Sequence, residues 1–343
     1  MSEKPRRRLT LRAISIAYFV LLAFTCIAME WWAEYLLPIW FLLFAPPVVL
    51  LLPVPILALI ALRRGYRGLL LAYALCTVVV SFGFARYRWP SSGADGKSFT
   101  VITHNAGQGN RVSFDRSFPG ESPDVVLLQD ATHEKYYSRA FPEMKVKRLA
   151  KFVLLTPHEI EDGQLIRDAL WRGSPVAARY VVRTPEKTVA LYNVHLPTPR
   201  RSLSHAWHPR VAMEMLWISD APIDDYPSYR AWLKARVTLA EKLAEVMAQE
   251  NLPFIVAGDF NTPDHGVVYR TFTNRLQDAH ASAGRGWGFT FPGGQGRVLS
   301  KVGPWLRLDY IFASPSWRPV DCRVAPDLKS QHRPVLARFV PNS

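Results

Sequence analysis

Apolar residues are spaced in two ways along this chain, and the change of spacing divides it. Before residue 90 they form long runs: Ala13 to Met29, Tyr35 to Leu62 and Gly68 to Ala85 hold 17, 28 and 18 residues without a charge. A helix needs about 20 apolar residues to cross a bilayer, so each run predicts a transmembrane helix. After residue 97 the runs shorten to strand length and are cut by turn residues. Strands are expected over Phe99–Thr103, Asp124–Leu128, Val146–Leu155, Pro175–Val182, Val189–Val194, Phe254–Ala257, Trp305–Ala313 and Val335–Val340. Ser228 to Gln249 keeps helical spacing, with Trp232, Leu239, Leu243 and Val246 on one face and Arg236, Glu241, Lys242 and Glu245 on others. Strands mixed with a few helices predict an α/β fold of two packed mixed β-sheets flanked by helices, a four-layer sandwich behind an N-terminal membrane region. The expected division is 1–89 as anchor, 90–97 as a polar linker and 98–343 as the second domain.

Charge sharpens the picture of the anchor. Residues 1–89 carry ten Lys/Arg against Glu3, Glu30 and Glu34, so half of the net charge of +14 lies there. Basic residues stay on the cytoplasmic side of a membrane. Lys4, Arg6, Arg7, Arg8 and Arg12 precede the first run, and Arg63, Arg64 and Arg67 separate the second from the third. Three crossings then place the second domain outside the cytoplasm. Pro46, Pro47, Pro53 and Pro55 interrupt the second run; should it turn back instead of crossing, the parity flips. Cys322 is the lone thiol of the second domain, which excludes both a disulfide framework and a cysteine zinc site there.

The candidate chemistry sits at strand ends. Asn105, Asp130, His195, Asp259 with Asn261, and His332 each close an expected strand or stand in the loop beside one. A layered fold gathers such ends at one rim. In an extended continuation, residues i and i+2 point the same way, so Asp259 and Asn261 are expected in one pocket. An ordinary strand-to-turn exit uses the same residue types.

The stretches THNAG (103–107), DVVLLQD (124–130), NVHLPTPR (193–200), VAGDFNTP (256–263), RLDYIFAS (307–314) and SQHRP (330–334), in this order, resemble the endonuclease/exonuclease/phosphatase superfamily of metal-dependent phosphoesterases. The resemblance implies that Asn105, Asp130, Asp259 and Gln331 hold a divalent cation, Mg²⁺ or Mn²⁺. It implies that Asp259 orients the attacking water, that Asn261 contacts the phosphate, and that His195 stabilises developing charge. His332 becomes the general base or acid, held by Asp309. Arg200, Arg201 and Arg210 are candidate phosphate contacts in the following Pro-rich loop, which otherwise reads as a solvated basic loop. Two positions depart from the family pattern: Asp130 stands where Glu is usual, and Gln331 where Asp is usual. Three spans before such a domain are similar to a membrane-anchored subgroup that includes glycopeptide-resistance-associated undecaprenyl-pyrophosphate phosphatases. That implies a bilayer-bound hydrolase acting on a phosphorylated lipid at the outer leaflet. The alternatives are an exported nuclease or phosphodiesterase and, given Asp130 and Gln331, a tethered binding protein without turnover. Trp287, Phe289 and Phe291 are expected either at the rim for an apolar substrate tail or as a plug under a loop. His104 is expected as a packing residue, and His205, His208 and His265 as loop residues.

Overall fold

The computed structural model describes residues 4–89, 98–107, 117–171, 173–200, 203, 208–216, 218, 228–294, 301, 303–326 and 330–342. The expected linker at 90–97, together with Arg201 and His205, lies outside them. Two mixed six-stranded sheets form the second half. One contains β1 (Phe99–Asn105), β2 (Val125–Gln129), β3 (Lys145–Leu149), β4 (Phe152–Thr156), β11 (Trp317–Val324) and β12 (Val335–Pro341) in the order β11-β12-β1-β2-β4-β3. The other contains β5 (Glu159–Arg167), β6 (Pro175–Arg183), β7 (Thr188–His195), β8 (Phe254–Asp259), β9 (Gln277–Asp278) and β10 (Asp309–Ala313) in the order β5-β6-β7-β8-β10-β9. Val101, Leu127 and Phe152 of the first sheet meet Leu191, Ile255 and Ile311 of the second in a shared core.

Two differences from the expected strands have simple causes. Val146–Leu155 is a hairpin, because Ala150 takes a left-handed turn at φ 53° between β3 and β4. The strand expected from Trp305 begins only at Asp309. Arg307 is buried and paired instead, its Nη1 lying 2.8 Å from Asp278 and its Nε 3.4 Å from Asp264.

Helices cover the outer faces: α5 (Glu134–Ala140), α6 (Pro209–Met215), α7 (Tyr229–Ala248), α8 (Gly266–Thr273) and α9 (Ala279–Ala283). The α7 helix starts where Ser228 accepts a hydrogen bond from the Ala231 amide, 3.2 Å away. Its inner face buries Leu239, Leu243 and Met247 against Tyr192 and Val256. The apolar face is rotated from the expected one, since Val246 is exposed and Arg236 is buried.

The N-terminal region is α1 (Lys4–Trp31), α2 (Leu37–Leu43), α3 (Pro53–Arg63) and α4 (Arg67–Val78), the last continued by a π-turn to Phe84. Thr10–Trp31 and Arg67–Phe84 are long and apolar enough to span a membrane. The second run is broken, and its halves Leu37–Leu43 and Pro47–Arg63 meet at 113°. Proline lacks the amide proton a continuous helix needs, and Pro46 and Pro47 fall at the break. Leu11 packs with Ala61 and Tyr73, while Leu22 packs with Leu51 and Val80. Residues 51–61 therefore run antiparallel to α1, and α4 runs parallel to it.

The end of β8 fixes one glycine. Gly258 has φ 149°, and a Cβ there would stand 1.9 Å from the Val194 carbonyl oxygen of β7. Gly258→Ala is therefore expected to destabilise the protein by about 3 kcal/mol or more, as strain and overpacking add. Thermal melting checks this, and a midpoint within 2 °C of wild type would contradict it.

Candidate active site

The rim follows from register. Parallel pairing of β1 with β2 places Asn105 opposite Gln129, one residue before Asp130. Parallel pairing of β7 with β8 places His195 opposite Asp259. The β10 strand is antiparallel to β8 and sets Asp309 opposite the same Asp259. The β12 strand is antiparallel to β1, which brings the segment before Val335, and so His332, to the same edge. A cavity of about 750 Å³ opens there. Asn105, Asp130, His195, Arg200, Asp259, Asn261, Gln331 and His332 all line it.

Asp259 is the hub and is 1% exposed. Its Oδ2 accepts from Asn105 Nδ2 at 2.8 Å and from Asn261 Nδ2 at 3.1 Å. The same oxygen lies 3.6 Å from His332 Nε2 and 3.7 Å from His195 Nε2. Its Oδ1 accepts from the Asn261 backbone amide at 2.8 Å. Asn261 reaches the pocket through this turn, at φ 50°, and not through an extended continuation. Its amide also donates to the Leu196 carbonyl at 2.9 Å. Its side-chain amide thus bridges Asp259 and the His195 loop.

His332 Nδ1 and Asp309 Oδ2 are 2.9 Å apart. Burial alone would push this imidazole towards neutrality, but the Asp309 and Asp259 carboxylates overrule it and raise it to about 9. Burial, with Asp259 nearby, also pushes the Asp309 carboxyl up, while His332 opposes the rise. Across the cavity, Asp130 Oδ1 lies 3.3 Å from His195 Nδ1. Burial would raise the Asp130 carboxyl, but His195 and then Lys151 hold it below the ordinary range. At the mouth, Arg200 Nη2 donates to Gln331 Oε1 at 3.1 Å.

A buried layer supports these groups. Gln129 donates to Thr103 Oγ1 at 2.9 Å and to Asn193 Oδ1 at 2.7 Å, tying the two sheets together beneath the site. Arg236, buried in α7, donates to the carbonyls of Pro197, Phe260 and Asn261 and so clamps two site loops. Ser330 donates to the Asn105 carbonyl at 2.7 Å.

The donors fit a hard divalent cation. Asn105, Asp130, Asp259 and Gln331 offer oxygen only, which suits such an ion. Asp309 Oδ1 is buried with no hydrogen-bond partner among the described residues. Asp259, Asp309 and His332 bring ligand atoms within 4.8 Å of one another. Of the four expected ligands only Asp130 and Asp259 carry charge, and the Gln331 oxygen is shared with Arg200.

Some functional neighbours had no signal in the sequence. Lys151, Trp171 and Trp232 also line the cavity. Lys151 opens a strand of ordinary composition, and Trp171 follows a short turn. Two of the expected loop histidines have defined partners. His208 caps α6, and His265 Nδ1 lies 2.9 Å from Glu30 Oε2. His104 is buried with Nε2 3.0 Å from the His332 carbonyl, as a packing residue should be. Arg210 belongs to α6 and does not line the cavity. The aromatic stretch divides: Trp287 Nε1 donates to the Ser81 carbonyl at 2.8 Å, whereas Phe291 packs 5.1 Å from His332.

The sequence profile of the Endonuclease/Exonuclease/phosphatase family matches residues 102–332. An endonuclease/exonuclease/phosphatase from Bacteroides vulgatus is 16% identical, covering 72% of this chain and 100% of its own, with a TM-score of 0.48. A 3′ phosphatase NExo from Neisseria, bound to product DNA hairpin, is 16% identical, covering 71% and 99%, at 0.45. A humanized D. rerio TDP2 is 15% identical, covering 71% and 99%, at 0.49. No curated protein matches the chain.

Proposed function

The chain belongs to the endonuclease/exonuclease/phosphatase family, and from that premise we propose a membrane-anchored, divalent-metal-dependent phosphoesterase whose substrate is a phosphorylated lipid. The observation that carries this reading is the convergence of Asn105, Asp130, His195, Asp259 and His332 on one cavity, with Asp309 directly beneath His332. Asp259 is placed to accept a proton from the attacking water. His332, held protonated by Asp309, is placed to donate one to the departing oxygen. His195, between Asp130 and Asp259, can donate to a phosphoryl oxygen as charge builds there. A divalent cation held by Asn105, Asp130, Asp259 and Gln331 would supply Lewis-acid polarisation of the phosphoryl group.

A lipid is favoured over nucleic acid by the cavity wall. Trp171, Val176, Leu196 and Trp232 line the same cavity as the carboxylates and give it apolar surface. Trp232 lies 5.8 Å from Trp40 of α2, so this surface continues into the N-terminal region. The direction of the helices supports three crossings. The ends of α1 and of the α4 π-turn both meet the catalytic half, through Glu30 and through Phe84 stacked at 4.3 Å on His265. Residues 51–61 return in the opposite sense between them. With the basic loop at 63–67 in the cytoplasm, the catalytic half lies outside it.

The full-length protein in detergent, with Mg²⁺ or Mn²⁺, is to be given a polyprenyl pyrophosphate, bis(p-nitrophenyl) phosphate and a DNA hairpin. Preferred turnover of the lipid, abolished by EDTA, is expected. Faster turnover of DNA would replace the lipid reading with the nuclease one. No turnover of any substrate would favour the tethered binding protein. A C-terminal reporter active only outside the cytoplasm checks the orientation.

A further inference from the structure

Lys151 enters the cavity from a position that no motif marks. The left-handed turn at Ala150 ends β3, and Lys151 stands directly before β4. Its carbonyl accepts from the Ala131 amide at 3.1 Å, which fixes its backbone beside the residue that follows Asp130. Its side chain is half-buried and lines the same cavity as Asp130 and Asp259. Burial lowers the pKa of the ammonium, and the Asp130 and Asp259 carboxylates oppose that shift.

The other side of the cavity offers a metal ion little charge. Gln331 is neutral, so a cation held there meets only the charges of Asp130 and Asp259. The Gln331 oxygen also accepts from Arg200, 3.1 Å away. Two side-chain cations, Arg200 and Lys151, thus line the cavity together with the carboxylates.

We infer that Lys151 is a built-in cation of this site: it shares the neutralisation of Asp130 and Asp259 with the divalent metal and binds the phosphoryl group directly, even when no metal is present. An ammonium is a compact point charge that binds phosphate well. The inference rests on reading the cavity as a phosphoesterase site, but its test reads binding and not turnover. A failure of the substrate panel and a failure of this inference are therefore separate results.

The full-length protein in detergent is titrated with inorganic phosphate in EDTA, followed by ³¹P NMR or calorimetry. Millimolar or tighter binding is expected, weakened at least tenfold in Lys151→Met and kept within threefold in Lys151→Arg. Mn²⁺ affinity, read by electron paramagnetic resonance, is expected to rise severalfold in Lys151→Met, because the ammonium no longer opposes the metal at Asp130. Thermal melting verifies that each variant is folded. Absence of phosphate binding by the wild-type protein in EDTA would overturn the inference. So would phosphate binding within twofold of wild type in Lys151→Met, or a Mn²⁺ affinity that falls when the lysine is removed.

Discussion

Asp259→Asn in the full-length protein is expected to lower kcat by about three orders of magnitude, with the fold retained. The substitution keeps the shape and removes the charge. Asp259 Oδ2 accepts two amide donors and stands within 3.7 Å of the Nε2 atoms of both His195 and His332. An asparagine in its place either turns its own N–H groups towards these donors or loses one of the contacts. Either way the site loses what the proposed mechanism uses as acceptor for the attacking water, and general base catalysis is worth about 10² to 10⁴ in rate. His332 loses one of the two carboxylates that keep it protonated, so the proton for the leaving oxygen becomes scarcer as well. The two losses fall on one unit. Asp259→Asn combined with His332→Gln should therefore be little slower than the worse single variant, as groups acting together are strongly non-additive. Steady-state hydrolysis of the best substrate measures this. A single-variant rate within tenfold of wild type would remove Asp259 from the chemistry.

The centre of this site was legible in the sequence because strand ends carry it. Register at β1/β2, β7/β8 and β8/β10 turns Asn105, His195, Asp259 and Asp309 from distant positions into neighbours. A period-2 pattern ending in a polar residue contains most of that information. The sandwich itself was legible for the same reason. What stayed hidden depends on tertiary contacts. Arg236 sits at a position that helical spacing assigns to a solvent face, yet three loop carbonyls draw it inwards. Lys151 reaches the cavity only because Ala150 turns the chain left-handed, and alanine gives no sign of such a turn. Arg307, read as a strand residue, is withdrawn from the ladder by Asp264 and Asp278. Glu30 and Glu34 read only as acids of the anchor, yet both reach the start of α8.

Glu34 gives the second large expected effect. Glu34 is 5% exposed, and its carboxyl group caps α8, accepting from the Val267 amide at 2.7 Å and from the Val268 amide at 3.2 Å. No side chain of α8 or of its N-cap residue, His265, performs that task. A Cβ on Gly266 would lie 2.7 Å from the carboxyl oxygen, so the contact also dictates glycine at φ 89°. Burial pushes the Glu34 carboxyl up, while the two amides and then the Arg236 charge pull it back. Replacing Glu34 by alanine leaves two buried amides unsatisfied at the start of a helix. The expected cost is about 3 kcal/mol, from one to two buried hydrogen bonds and a lost cap. For a domain of this size that is a drop of roughly 6 to 12 °C in the melting midpoint. Glu34→Gln retains an acceptor oxygen and should lose less than half as much. Activity should fall too. The helix α8 follows the Asp259–Asn261 turn within a few residues, and Arg236 joins the Glu34 charge to the loops that it clamps. A small displacement of positioned groups costs about tenfold to a hundredfold in rate. A fragment beginning at residue 98 lacks Glu34 and also uncovers Trp232 and Tyr229, which pack on Trp40. It should melt below Glu34→Ala and tend to aggregate. Equal midpoints for the fragment and the full-length protein would mean that the N-terminal region only tethers the catalytic half and does not complete it.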